Sequence, residues 1–310
     1  MQAQKIAAGL RVWVCWVMGF VLGAGFAGEA AGSGPLVAPP VRSDTVLKGG
    51  PPWRSDYGQA LRQAVAERKM LFIFFVDPAE KAAADRFLQN VVPRVVKQAD
   101  LRRYVWVRLP LEAEYAENGN KGRLLEHQAF EHMYGRQGVA IVDFTRPDAP
   151  YYGRVVSCFP FDRGKLLTDW ALRIVLDLPP GTLTQRTMIY AVRVHPERPA
   201  STEGRLSPIL MEEAQKHSRY QAQIQVQGHH NWDARFHRIN ARLGGGLTCQ
   251  EVVAESWAGM ELVKAARDCV HAWRQSSGHW SAVRRRHRLF GYDMWRGKNG
   301  VWYATGLFAD

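Results

Sequence analysis

Hydrophobic positions in the first half of the chain alternate between strand-like runs and helix-like spacing. The run MLFIFFV at 70–76 is continuous and apolar, which is typical of a strand buried on both faces. The pattern predicts further strands at 104–109, 139–144 and 151–159, and helices at 57–69, 79–98, 124–134 and 165–178. Alternation of this kind requires helices on the faces of a sheet, so residues 53–178 are predicted to form one α/β domain.

A second domain is predicted at 206–310, after a connector rich in proline and glycine at 179–205. Within the connector, the segment TQRTMIYAVRV predicts one short helix. Ser207 and Pro208 have the residue types of a helix N-cap and first turn, and Gly228 is predicted to end that helix. At the C-terminus, LFGYDM and GVWYATGLF flank an Asn-Gly turn and predict a β-hairpin.

The N-terminus has the pattern of a secretory signal peptide. Lys5 and Arg11 precede an apolar run at 12–26, and small residues follow it, so cleavage is expected after Ala27 or Ala31. We interpret 1–27 as the signal and 28–52 as a flexible linker. The alternative is an uncleaved anchor, for which the run is short. Export predicts a periplasmic, cell-envelope or extracellular location.

Composition narrows the classes of partner. Of the 310 residues, 46% are hydrophobic and 23% charged, which indicates a folded rather than a disordered chain. The formal net charge of +12 favours contact with anionic partners such as a cell-envelope polymer or lipid. Nucleic acid is not expected as a partner, because no nucleic-acid-binding motif is present.

The candidate chemistry lies in the last hundred residues, where histidines and a carboxylate are set among tryptophan, glycine and arginine. The candidate cavity residues are His229, His230, Glu255 and His279. Imidazole and carboxylate groups exchange protons near neutral pH and are common metal ligands. Two imidazoles and one carboxylate with an open position suit zinc plus a water molecule.

The motifs of this region resemble the CAP superfamily of cysteine-rich secretory and pathogenesis-related proteins. They are HHNWDAR, AES at 254–256, Trp273, SSGHW at 276–280 and the final aromatic hairpin, and together they cover about residues 206–309. Ala254 and Ser256 depart from the family's Gly-Glu-Asn pattern. The resemblance implies an α-β-α sandwich that binds a lipid, glycan or peptide outside the cytoplasm. It also implies a cavity with His230, Glu255 and His279 as metal ligands, while the choice between His229 and His230 stays open.

Residues 53–178 are similar to a thioredoxin fold in the order of their predicted elements. Asp77-Pro78-Ala79-Glu80 stands where that fold carries its redox thiols, and Gln137-Gly138 replaces its cis-proline. Without a thiol at the helix N-terminus there is no disulfide exchange. The resemblance therefore implies a redox-silent scaffold or binding module.

Other hypotheses remain open from the sequence. A hydrolase could use Glu255 and His279 for proton transfer, and a thiol protein could use Cys158, Cys249 and Cys269, of which the last two could also form a disulfide. The candidates outside the main cluster are His217, interpreted as a core residue, and a rival metal group formed by His230, Asp233 and His237 on one helical face.

Overall fold

Two four-stranded sheets organise the chain in the computed structural model, which describes residues 50–117 and 120–310. The predicted signal peptide and nearly all of the predicted linker lie outside the described residues. The strands are β1 Met70–Val76, β2 Tyr104–Pro110, β3 Glu114–Glu117, β4 Asn120–Arg123, β5 Gly138–Asp143, β6 Arg154–Pro160, β7 Arg205–Leu206, β8 Cys249–Glu255, β9 Leu289–Arg296 and β10 Trp302–Ala309. Of these, β3 and β4 pair only with each other.

Helices alternate with the strands, so the chain is mixed α/β as predicted. The α-helices are α1 Tyr57–Ala66, α2 Lys81–Arg86, α3 Val92–Val95, α4 Gln98–Arg103, α5 Asp169–Leu176, α6 Leu183–Arg193, α7 Pro208–Ile224, α8 Trp232–Arg242, α9 Leu262–Gln275 and α10 Ser277–Arg284. The helix predicted at 79–98 is interrupted by a π-helical turn, after which Pro93 lies in the first turn of α3. Proline fits there because an N–H in the first turn has no partner within the helix. The segment predicted as a helix at 124–134 forms two short 3₁₀ segments instead.

The first sheet has the strand order β2-β1-β5-β6, in which β1 and β2 are parallel and the other pairs antiparallel. Side chains of β1 alternate between two apolar layers, as the pleat of a strand requires. Phe72 and Phe74 face the layer that contains α2, α3 and α5, while Ile73 and Phe75 face the layer that contains α1. Both faces are covered, which explains why β1 is apolar throughout.

The second sheet has the order β7-β9-β10-β8 and lies between two helical layers. Helix α7 packs on one face, and α6 and α9 pack on the other. Gly291 of β9 allows α7 to approach closely, because a Cβ atom there would lie 2.5 Å from the backbone of Leu210 and Met211. Strand β8 is one edge of this sheet, and β7 is the other.

Helix α6 lies between the two sheets, although its segment was predicted as part of a connector. It packs against β6 of the first sheet and β9 of the second, and its residues from Gln185 to Val192 are all buried. One apolar core includes residues of both sheets, and the described residues belong to one compact unit. None of the helices in the described ranges is long and apolar enough to cross a membrane.

Candidate functional site

The turn after α7 positions the first histidine of the site. Gln225 adopts a left-handed backbone conformation (φ 57°) and ends the helix three residues before Gly228, the predicted end. The chain then folds back on α7, where the side-chain oxygen of Gln221 accepts from the Gly228 N–H at 3.1 Å. The Gly228 carbonyl faces Nε2 of His217 at 2.9 Å. These contacts hold the following residue, His229, above β8.

Glu251 of β8 lies directly behind His229. Its side chain is only 1% exposed, and one carboxylate oxygen is 2.9 Å from Nδ1 of His229. Arg235 of α8 donates to both carboxylate oxygens, and Nε2 of His217 lies 3.7 Å from one of them. Burial alone would raise the pKa of Glu251, but the hydrogen bonds from His229 and Arg235 outweigh it, so this pKa lies below its usual range. Glu251 is therefore a buried, ionised carboxylate.

His279 of α10, a helix that packs against β8, completes the group. His279 lies in the first turn of α10, and the side-chain oxygen of Ser276 caps that helix. The Nε2 atoms of His279 and His229 are 3.3 Å apart, and the ring centroids are separated by 5.5 Å. Burial of the His279 ring lowers its pKa, and the neighbouring His229 lowers it further. Nδ1 of His229 faces the Glu251 carboxylate, which can accept its hydrogen, so Nε2 of the same ring is the nitrogen that faces His279.

The structure brings together only two of the four predicted cavity residues. His229 and His279 meet, whereas His230 turns away: its Nε2 is 3.2 Å from the Val226 carbonyl oxygen and its ring packs 5.7 Å from that of Tyr220. Glu255 is exposed at the far end of β8, four residues beyond the buried Glu251, which is about 13 Å along a strand. The predicted trio of His230, Glu255 and His279 is therefore replaced by His229, Glu251 and His279.

Two further residues of the site, Glu251 and Arg235, were not predicted. Glu251 and Glu255 lie on the same face of β8 because side chains alternate with a period of two. A choice between them depends on which end of the strand lies under His229, and that is set by the packing of α7. Arg235 is the arginine of the HHNWDAR motif, but the sequence did not indicate that it would pair with a carboxylate.

The two imidazoles match the spacing of metal ligands. Two nitrogen atoms bound to one tetrahedral zinc at the usual bond lengths lie about 3.3–3.4 Å apart, and the observed Nε2 separation is 3.3 Å. A carboxylate that accepts the other N–H of a ligating histidine is the usual outer partner in such sites, and Glu251 holds that position. Within residues 50–117 and 120–310, no group of three or more His, Cys, Asp or Glu side chains is arranged around one metal position. The chain would thus supply two direct ligands.

The rival group on α8 is a surface pair. His237 Nε2 is 3.6 Å from a carboxylate oxygen of Asp233, and the two side chains are 73% and 96% exposed. His230, the third member, lies with Tyr220 instead. Ligands this exposed are hydrated and are not held in a fixed geometry, so we assign no site to them.

The cysteines of the described ranges offer no reactive thiol. Cys158, Cys249 and Cys269 are all buried and unbridged. Burial raises the pKa of Cys249 to about 11 and raises that of the other two as well. Thiols with raised pKa values are poor nucleophiles at neutral pH because the thiolate is the reactive form.

No protein-family model matches the chain, and no curated protein matches its sequence. The geometry of the site is therefore the basis for assigning a function.

Proposed function

We propose that this chain is an exported binding protein whose cleft between His229 and His279 holds a divalent metal, most simply Zn²⁺. The observation that carries the proposal is the 3.3 Å between the two Nε2 atoms, with the buried carboxylate of Glu251 behind one ring. At this distance the two Nε2 atoms either share a proton in an N–H···N hydrogen bond or, when both are unprotonated, face a common cation. Two direct ligands leave two positions of a tetrahedral metal for water or a bound molecule.

The arrangement of layers supports a CAP-like second domain. The second sheet is covered by α7 on one face and by α9 on the other, as in an α-β-α sandwich, and α6 of the predicted connector adds to the α9 layer. The order β2-β1-β5-β6 of the first sheet supports a thioredoxin-like fold that lacks the redox thiols. Both assignments favour binding over redox chemistry.

The cleft is open to a ligand from solvent. The His229 side chain is 44% exposed, while Glu251 and Arg235 lie beneath it. A metal held here would present its open positions outwards, where an oxygen of a lipid headgroup, glycan or peptide could bind. We propose these oxygen ligands as the class of molecule that the protein recognises.

Replacing either histidine should abolish specific metal binding. We expect His229→Ala and His279→Ala each to weaken Zn²⁺ binding more than about 100-fold, because loss of a direct ligand costs more than loss of an outer partner. Isothermal titration with Zn²⁺ at pH 7.5 checks this. His230→Ala and His237→Ala are matched controls that should bind like the wild type. Equal affinity in all five proteins would contradict the proposal.

Replacing Glu251 should weaken the site without removing a ligand. In Glu251→Gln the amide oxygen can still accept the His229 N–H, but the negative charge behind the ring is lost. We therefore expect Zn²⁺ affinity to fall about 10–100-fold, the usual effect of replacing a residue that hydrogen-bonds to a metal ligand. Glu255→Gln is the control and should change the affinity less than about twofold. If Glu255→Gln weakened Zn²⁺ binding more than Glu251→Gln, the site would include Glu255, as predicted from the sequence, and not Glu251.

A hydrolase is the second candidate, and the contact between Glu251 and His229 favours it. A carboxylate that holds the Nδ1 hydrogen leaves Nε2 free to act as a general base. The distinguishing result is hydrolysis of p-nitrophenyl acetate in the presence of EDTA. Turnover that persists with chelator and disappears in His229→Ala would support the enzyme, whereas its absence together with Zn²⁺ binding supports the binding protein.

A further inference from the structure

Large apolar side chains are exposed at one end of the second sheet. Trp257, in the loop after β8, is 77% exposed, and Val226, after α7, is 51% exposed. The others are Tyr220 at 40%, Ile224 at 39% and Trp295 at 37%. Scattered exposed apolar residues are ordinary, but a contiguous group at one end of a domain marks a surface that binds something.

Contacts among three chain segments bring these side chains to the same end. The segments are the end of α7 with its following turn at 219–227, the loop 256–260 and the hairpin tip 295–300. A Cβ atom on Gly297 would lie 3.1 Å from the carbonyl oxygen of Ala222, so the tip packs against the end of α7. The Gly259 N–H donates to the carbonyl of Gly300 at 3.0 Å and fixes the Trp257 loop to the same tip. We name these three segments the apolar end.

The apolar end is positively charged. Its three segments contain Arg219, Arg296 and Lys298 and no acidic residue. All three cations are exposed, and the Arg219 guanidinium lies 5.4 Å from the centre of the Trp295 ring. Glu255 and Glu261 flank the 256–260 loop in sequence, and Glu261 pairs with Arg136 and Lys264 outside the three segments. This end therefore combines large apolar side chains with exposed cations.

We propose that the apolar end docks the protein on the surface of an anionic lipid bilayer. Tryptophan is favoured at the level of lipid headgroups, where its ring is apolar and its N–H stays hydrated. Lysine and arginine near such a surface are attracted to anionic lipids, about fivefold in affinity for each cation. Aliphatic side chains such as those of Ile224 and Val226 are stabilised where the lipid headgroups meet the acyl chains. The same side chains would contribute little to binding a sugar. The chain would lie on the membrane rather than span it.

Docking would place the histidine cleft close to the membrane. The ring of His230, next to His229, packs 5.7 Å from Tyr220 of the apolar end. The cleft and the docking surface therefore adjoin along the turn after α7. The proposal does not depend on metal binding, because none of its residues is a candidate ligand.

Vesicle sedimentation tests the docking surface. The protein is residues 28–310, which include every residue that the structure describes and omit the predicted signal. With vesicles of phosphatidylcholine and 30% phosphatidylglycerol we expect binding that falls at least about tenfold in Trp257→Ala, since a large interfacial aromatic is removed. The double variant Arg296→Gln, Lys298→Gln should lose about 20-fold or more on the same vesicles. Vesicles of phosphatidylcholine alone should bind much more weakly.

Trp170→Ala is the matched control, because Trp170 is 51% exposed and also lies beside an arginine, Arg198, at 5.2 Å. It should sediment with vesicles like the wild type. Equal losses in Trp257→Ala and Trp170→Ala, or equal binding to both kinds of vesicle, would overturn the proposal. Self-association that Trp257→Ala abolishes, without vesicle binding by the wild type, would overturn it in favour of a second copy of the chain.

Discussion

Replacing Arg186 with methionine should lower the free energy of unfolding by about 3–5 kcal/mol. Arg186 of α6 is completely buried. Its Nε donates to the Val156 carbonyl and the Ser157 hydroxyl of β6, and its Nη1 donates to the carbonyls that follow α5, those of Leu178 and Pro179. Methionine fills much of the volume but donates no hydrogen bond, so these buried oxygens would lose their partner.

Urea unfolding followed by circular dichroism measures this loss. Arg62→Met is the control, because Arg62 is exposed on α1, and we expect it to change the free energy of unfolding by less than about 0.5 kcal/mol. A single transition is also expected in both variants, since α6 packs against both sheets. If Arg186→Met were as stable as Arg62→Met, Arg186 would not be an essential link between α6 and the first sheet.

Single substitutions of His217 and Asp293 should reveal two opposite dependences of stability on pH. His217 is 3% exposed, and burial lowers its pKa to about 4. Between pH 6.5 and 4, His217 is protonated in the unfolded chain but not in the folded chain. Its contribution therefore lowers the free energy of unfolding as the pH falls through this range. The loss amounts to about 3 kcal/mol.

Asp293 of β9 acts in the other direction. It is completely buried, and burial raises its pKa to about 7. The folded chain therefore holds a proton that the unfolded chain releases, and stability rises as the pH falls from 7 towards 3.8. The gain is about 4 kcal/mol. In the wild type, the opposite effects of His217 and Asp293 on the free energy of unfolding largely cancel between pH 6.5 and 4.

The measurement is urea unfolding at pH 7.5 and pH 4.5. Relative to the wild type, Asp293→Asn should lose about 3 kcal/mol more on going to pH 4.5, and His217→Gln should lose about 3 kcal/mol less. Other carboxylates, such as Glu213 with its arginine partners, affect all three proteins alike. Parallel pH profiles in the three proteins would contradict the assigned protonation states.

The elements that were predicted well are those that local sequence determines. The apolar run at 70–76 forms β1, the Ser207-Pro208 pair begins α7, and the Asn-Gly turn joins β9 to β10. In each case the signal is a residue type with a fixed local conformation or a run that fits one kind of element. No long-range information was needed to place them.

The site required information that the sequence does not carry locally. His229 and His279 are 50 residues apart and meet only because α10 lies beside β8, the edge of the second sheet. The position at which α7 ends determines which carboxylate lies beneath the histidines. The left-handed cap of α7 at Gln225 places His229 above Glu251 instead of Glu255. Similarly, the helix in the predicted connector is buried only because two sheets pack against it.

Imidazole ¹H–¹⁵N spectra of the wild-type protein test the central claim most directly, since they report on each ring nitrogen. On addition of one equivalent of Zn²⁺, the Nε2 resonances of His229 and His279 should shift together, while Nδ1 of both rings stays protonated. The Nε2 resonances of His230 and His237 should not move. A shift at only one of the two proposed ligands, or at His230 in place of His229, would contradict the account.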